Sequence, residues 1–348
     1  MGGIIVLLLM TVGLFVGELE GRSIVSAGES GLRRVIIDLD AGGDDAWALT
    51  MLLMNEQKFN LKVEAITCSH GNGGLENVAR NVARILEGLG RCDVPVFKGA
   101  SERLITPAPP RDVNGYFWGV DGFGDVEFEK EPDMSVVKPG HAVLKMQELL
   151  DKFPNEITII SVGPLTNLAL LLKMFPESGK KISNVFILGG NRNAVGNTDF
   201  SAEFNFFTDP EAANIVINNS PVTLQIFPWE SVLAMNRYFS IEWRFEFFNN
   251  TKNQAIQVLN AVENSVYEGG SSWWDPCDMY TVAIFLNQSL IVESEDYKAD
   301  VELRGHLTRG MLTLQHHIKN AEHFNVNIID RIDADQVKEM IMDLNRDN

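Results

Sequence analysis

From residue 35 onward, short apolar runs alternate with longer stretches in which apolar residues recur every three or four positions. Residues 35–40 (VIIDLD), 62–69, 94–97, 156–162 and 184–188 have the length and apolar content of buried strands. Between them, residues 44–55, 75–89 and the stretches after Pro139, Pro164 and Asp209 read as helices. This rhythm predicts βαβ units and an α/β fold with a mainly parallel central sheet flanked by helices. No linker, repeat or low-complexity stretch divides the chain, so one domain over residues 30–345 is expected. In the C-terminal third, residues 239–248 are dense in aromatics and residues 253–267 have a helical pattern; the rest carries no clear period.

In open sheets of this kind ligands bind beyond the carboxyl ends of the strands. Those segments hold Asp38, Asp40, Asp44 and Asp45 (DLDAGGDD), then Gly71 and Asn72, Val162 and Gly163, and Gly189, Gly190 and Asn191. Four carboxylates within eight residues repel one another, and a hard divalent cation is their natural partner. Zinc would want His or Cys, and neither lies in this loop. One such Asp could simply cap the following helix.

DLDAGGDD resembles the DxDxGxDD signature of the nucleoside hydrolase family, and further blocks follow in family order: SHGN at 69–72, SVGPLTNLA at 161–169, LGGN at 188–191, Gly196-Asn197, AEFNFFTDPEAA at 202–213 and WDPC at 274–277. The resemblance spans residues 35–330 and implies a Rossmann-like nucleoside hydrolase fold and a calcium-dependent cleavage of N-glycosidic bonds. It implies Asp40, Asp45 and Asp275 as side-chain calcium ligands, with Val162 offering its carbonyl. Asp40 matches the general base that takes a proton from a calcium-bound water. Asp44, Asn72, Asn197, Glu203 and Asn205 match ribose-binding positions, although Asn and Glu also serve as loop caps.

Two departures bear on the substrate. Where members with broad or pyrimidine-tolerant activity carry histidines, this chain has Trp118 and Trp274, as in the purine-specific branch, in which two tryptophans sandwich the base. Purine nucleosides such as inosine, guanosine and adenosine are therefore the expected substrates, with Tyr116, Phe117 and Trp273 as alternative aromatic partners. A third departure, Ala41-Gly42-Gly43, removes an Asn contact to the sugar found in some purine-specific members.

Composition narrows the partners. The formal charge of -18 and pI near 4.7 oppose nucleic acid and anionic lipid surfaces. The apolar run at residues 4–16 suits a signal peptide of about residues 1–25, hence a secreted protein without stable membrane association, although its flank lacks Lys and Arg and a signal anchor is the alternative. Asn218, Asn249 and Asn287 open glycosylation triplets. Export with paired tryptophans is similar to the salivary purine nucleosidases of blood-feeding insects. Family members form dimers or tetramers, so a homo-oligomer is compatible, but no residue pattern marks an interface. Cys68, Cys92 and Cys277 are odd in number and give no disulfide framework. DLD after a strand also fits a haloacid-dehalogenase-like phosphatase, but Gly42 and the WDP block do not. A secreted nucleoside-binding protein without turnover is the non-enzymatic alternative.

Overall fold

The computed structural model describes residues 31–105, 117–268, 270–317 and 320–346, so the expected leader and Tyr116 lie outside the described residues. Contacts gather Leu32–Asn348 into one unit. Its strands are β1 (Arg33–Leu39), β2 (Leu61–Cys68), β3 (Val96–Lys98), β4 (Ile157–Ser161), β5 (Ile182–Leu188), β6 (Leu224–Phe227), β7 (Ile291–Val301), β8 (Leu312–Gln315) and β9 (Val326–Ile332). They form one sheet in the order β3-β2-β1-β4-β5-β6-β9-β7-β8. Pairing is parallel from β3 through to β9, and β7 runs antiparallel to both β9 and β8. The expected mainly parallel α/β sheet is therefore present, with an antiparallel edge added by the C-terminal third.

β1 reads as an unbroken apolar run because both of its faces are covered. Val35, Ile37 and Leu39 pack with the helices Gly43–Met54, Leu75–Leu89 and Cys277–Leu286, whereas Ile36 joins the cluster under Ala142–Lys152 and Thr166–Met174. The strand order reverses at β1, which pairs with β2 on one side and β4 on the other. Asp38 stands level with Ser161 in that register, so Asp40 and Val162 leave the sheet side by side. This is the switch point where a ligand crevice forms in open α/β sheets.

Beneath that crevice lies a buried ionic knot. The side chains of Arg244 and Glu263 form an ion pair and are almost fully buried. Glu263 also accepts from Trp47 Nε1 at 3.0 Å and Trp274 Nε1 at 2.8 Å. The Arg244 guanidinium lies 5.2 Å from the Trp47 ring centre and 4.6 Å from that of Phe245. A buried pair is most costly when only one partner is lost. Arg244→Met should therefore destabilise the protein by about 3–5 kcal/mol, and the double variant R244M/E263Q by clearly less than the sum of the single changes; denaturant unfolding of all three variants checks this.

Candidate active site

The first turn of the helix Gly43–Met54 shapes the acid cluster. Asp45 sits at its third position and reaches back, accepting from Gly42 N at 2.8 Å and Asp40 N at 3.1 Å. Asn72 Nδ2 adds a third donor to Asp45 at 3.2 Å, and Asn72 N donates to Asp40 Oδ2 at 2.6 Å. Asp45 is thus both a helix cap and a member of the cluster, and Asn72 is engaged by the acids through backbone and side chain alike. Asp38 turns away from this group, and its Oδ1 accepts from Thr67 Oγ1 and Asn167 Nδ2, tying β1 to β2 and to the helix Thr166–Met174.

Asp40 is held by close backbone approach. A Cβ on Gly71 would stand 1.9 Å from Asp40 Oδ2, and one on Gly163 would stand 2.7 Å from Oδ1. No other residue type fits either position without moving the carboxylate. Val162 lies next to it, its N–H bonded to Asp38 O at 2.9 Å and its carbonyl accepting from Asn205 Nδ2 at 2.8 Å. Glu203 caps the short helix Phe204–Thr208, accepting from the N–H groups of Asn205 and Phe206 and from that of Gly190. Asn197 sits partly buried in the preceding loop, its backbone N–H bonded to Ala202 O. The loop-capping role is thus realised by Glu203, while Asn205 ties that cap to Val162.

Burial pushes the carboxyls up. Desolvation, then repulsion from Asp44, lifts Asp45 to about 7 and Asp275 to about 6, and desolvation lifts Glu203 to about 7 against its three backbone donors. Asp40 is raised well above the usual range, by burial first and Asp45 second. Buried Asp40 Oδ1, Asp275 Oδ1 and Asp278 Oδ1 have no hydrogen-bond partner, which is what a cation-coordinating oxygen looks like before its ion is considered. Cys277 approaches the cluster and donates from Sγ to Asp44 Oδ2 at 2.9 Å. Burial and Asp44 push its thiol well up, so it stays an S–H donor and the remaining donor set is oxygen. Such a set fits a hard divalent cation.

Among the described residues, Asp44, Cys277 and Asp278 form a group whose ligand atoms all lie within 4.8 Å of one another, beside the expected ligands Asp40, Asp45 and Asp275. Each Asp45 oxygen accepts one backbone N–H and keeps a further lone pair.

Trp274 requires a correction. It is 0% exposed, donates to Glu263, and packs edge-on against Trp47 at 5.3 Å, so it presents no face to a base. The segment around it is extended, with Ser240 bridging Trp273 and Trp274 N bonded to Phe239 O, so the two neighbouring tryptophans point opposite ways and Trp273 is the exposed one. Trp118 does reach the site. It is buried with its ring laid on the backbone of Gly42 and Gly43, where added Cβ atoms would meet it at 2.6 and 2.4 Å, and it contacts the Asp44 carboxyl. Phe117, 57% exposed, meets Trp118 edge-on at 5.0 Å, and Tyr267 stands 6.2 Å from Trp118. Asn81 Nδ2 ties this loop down by bonding both Ala41 O and Asp121 O at 3.1 Å. Glu263, Tyr267 and Asp278 carry no motif that marks them in the sequence. Only Asp278 has a signal of any kind, an acid in the otherwise apolar run at 277–286.

Paired acids at a sheet switch point, with a clamped Asp40 and an oxygen donor set, are the parts of a glycosidic-bond hydrolase, and comparison with known proteins decides the family. Residues 35–339 match the family model described as inosine-uridine preferring nucleoside hydrolase. The chain belongs to that family. As a nucleoside hydrolase it is 33% identical to the pyrimidine-specific ribonucleoside hydrolase RihA of Salmonella typhimurium over 306 residues, covering 86% of this chain and 94% of that protein. It is 28% identical to a probable uridine nucleosidase 2 of Arabidopsis thaliana, covering 89% and 97%. Among solved structures, an inosine-guanosine nucleoside hydrolase superposes with a TM-score of 0.81 at 25% identity, covering 90% of this chain and 98% of its own. A purine-preferring ribonucleoside hydrolase from Gardnerella vaginalis gives 0.78 at 24% identity, covering 90% and 98%. The relatives thus divide between base classes, and the nucleoside hydrolase activity is what they share.

Two outcomes follow from this geometry. Gly71→Ala should lower kcat/KM at least about 100-fold by displacing Asp40, as misplacement by about 1 Å can, while circular dichroism stays unchanged; steady-state assays check it. Glu203, raised to about 7, binds its proton more tightly folded than unfolded, so its contribution is present below about 4.5 and is lost as pH rises through 7. In chelator, the wild-type unfolding free energy should therefore fall between pH 5 and 8 by more than that of Glu203→Gln, a difference on the order of 3 kcal/mol; calorimetry across that range measures it.

Proposed function

We propose that this nucleoside hydrolase is exported and cleaves purine ribonucleosides with the help of calcium. The observation that carries the purine reading is the aromatic wall beside the acids: Trp118 on Gly42 and Gly43 against Asp44, backed edge-on by exposed Phe117. Of these rings Phe117 is the exposed one and would offer its face to a purine, with Trp118 behind it, and a base that gains positive character at N7 as it leaves is favoured by a facing π-cloud. The positions where pyrimidine-tolerant relatives carry histidine hold Trp118 and Trp274. His70, nearby in sequence to Asn72, is pushed down to about 4 by burial and faces Thr166, so it is neutral at physiological pH and a poor acid.

Asp40, Asp45, Asp275 and the Val162 carbonyl would hold the calcium. Bound there, the ion supplies positive charge that orients sugar hydroxyls and makes a neighbouring water more acidic. Asp40, clamped by Gly71 and Gly163, takes a proton from the attacking water through its unpartnered Oδ1. Asp44, Asn72 and Asn197, half-buried around the cluster, would hold the ribose hydroxyls. The surrounding negative charge favours the oxocarbenium-like transition state. Export rests on the apolar run at residues 4–16 and on exposed Asn218 and Asn249 in acceptor triplets.

A pyrimidine reading is favoured by the 33% identity to RihA. Expression in a eukaryotic secretory host, with medium and cell lysate each assayed on inosine and uridine with calcium, separates these possibilities. Hypoxanthine release confined to the medium, with little uracil, is the expected result. Comparable uracil removes the purine claim, activity retained in the lysate removes export, and ligand binding without base release points to a binding protein.

A further inference from the structure

Asp278 is the second residue of the helix Cys277–Leu286, a segment buried along its whole length. It is 2% exposed, and its Oδ1 has no hydrogen-bond partner. Its carboxyl lies within hydrogen-bonding reach of Asp45, and its ligand oxygen is within 4.8 Å of those of Asp44 and Cys277. The helix that carries it packs against Gly43–Met54, and the first turns of both helices face the same cluster, so two positive helix ends meet there. Two buried carboxyls at this separation need something positive between them, either a shared proton or a cation.

We propose that Asp278 is a further cation-holding carboxylate of this site, adding a negative charge to the set formed by Asp40, Asp45 and Asp275. The proposal rests on the calcium reading above and extends it to a residue outside that set. Asp278 Oδ1 is buried without a hydrogen-bond partner, and a cation seated among Asp44, Asp45 and Asp278 would engage it; the asparagine variant below separates this from a proton shared with Asp45. Cys277 contributes by holding Asp44 Oδ2 through its S–H, which keeps that carboxylate turned toward Asp278.

The test is calcium binding to chelator-stripped protein by titration calorimetry, for wild type, Asp278→Asn and Asp278→Ala, with thermal unfolding of each in chelator and in calcium. Asparagine copies a permanently protonated carboxyl, so a shared-proton role leaves its calcium affinity at the wild-type value. The expected result is a Kd raised on the order of 10- to 100-fold in both variants, with a Tm in chelator equal to or above that of wild type and a smaller rise on adding calcium. Alanine, small and compatible with the helix, carries the measurement if asparagine does not fold. Calcium affinities within twofold of wild type in a folded variant overturn the role of Asp278 while leaving calcium dependence intact. No calcium binding by wild type overturns both.

Discussion

Carboxylates gathered in one weakly polarisable volume repel each other, at an effective dielectric near 20 by roughly 3 kcal/mol for a pair about 5 Å apart. Asp40, Asp45 and Asp278 are buried here, and Asp44 and Asp275 border them. Much of the neighbouring structure answers that repulsion. Backbone N–H groups of Asp40, Gly42 and Asn72 are spent on Asp45 and Asp40 instead of on regular secondary structure. Two helices begin at the cluster, so their positive ends face it. Glycines at 71 and 163 let the backbone approach Asp40 more closely than any side chain would permit.

The layer below supplies rigidity. Trp274 precedes Asp275, and its indole is fixed by Glu263, which Arg244 holds in turn. A tryptophan locked in the core at its N–H and by ring contacts leaves the next residue little freedom, so the knot fixes the backbone from which Asp275 projects. The same glutamate holds Trp47, which lies in the helix that bears Asp44 and Asp45. One buried carboxylate thus ties together the two segments whose acids must converge.

The parts of this design differ in how far they can be read from residues. β1 to β5 and the acid loop were legible because buried parallel strands are continuously apolar and because DLDAGGDD is chemically conspicuous. β7 was not, since its first half is exposed and charged and lacks the alternation that marks a strand. Adjacent tryptophans at 273 and 274 carry no signal for which one points inward; that is set by the pairing of Ser240 with Trp273, a contact between segments more than thirty residues apart. Glu263 looks like any helical glutamate until Arg244, Trp47 and Trp274 are brought around it.

The loop departure at Ala41-Gly42-Gly43 and the aromatic at Trp118 prove to be one feature. The indole lies so close over Gly42 and Gly43 that even a methyl group at either position would enter the ring. An asparagine at 42, the sugar contact of some purine-specific relatives, and a tryptophan seated as Trp118 is seated therefore exclude each other sterically. The glycines leave room for the buried indole beside Asp44, and Asn81 ties this loop to the one carrying Trp118 through Ala41 and Asp121.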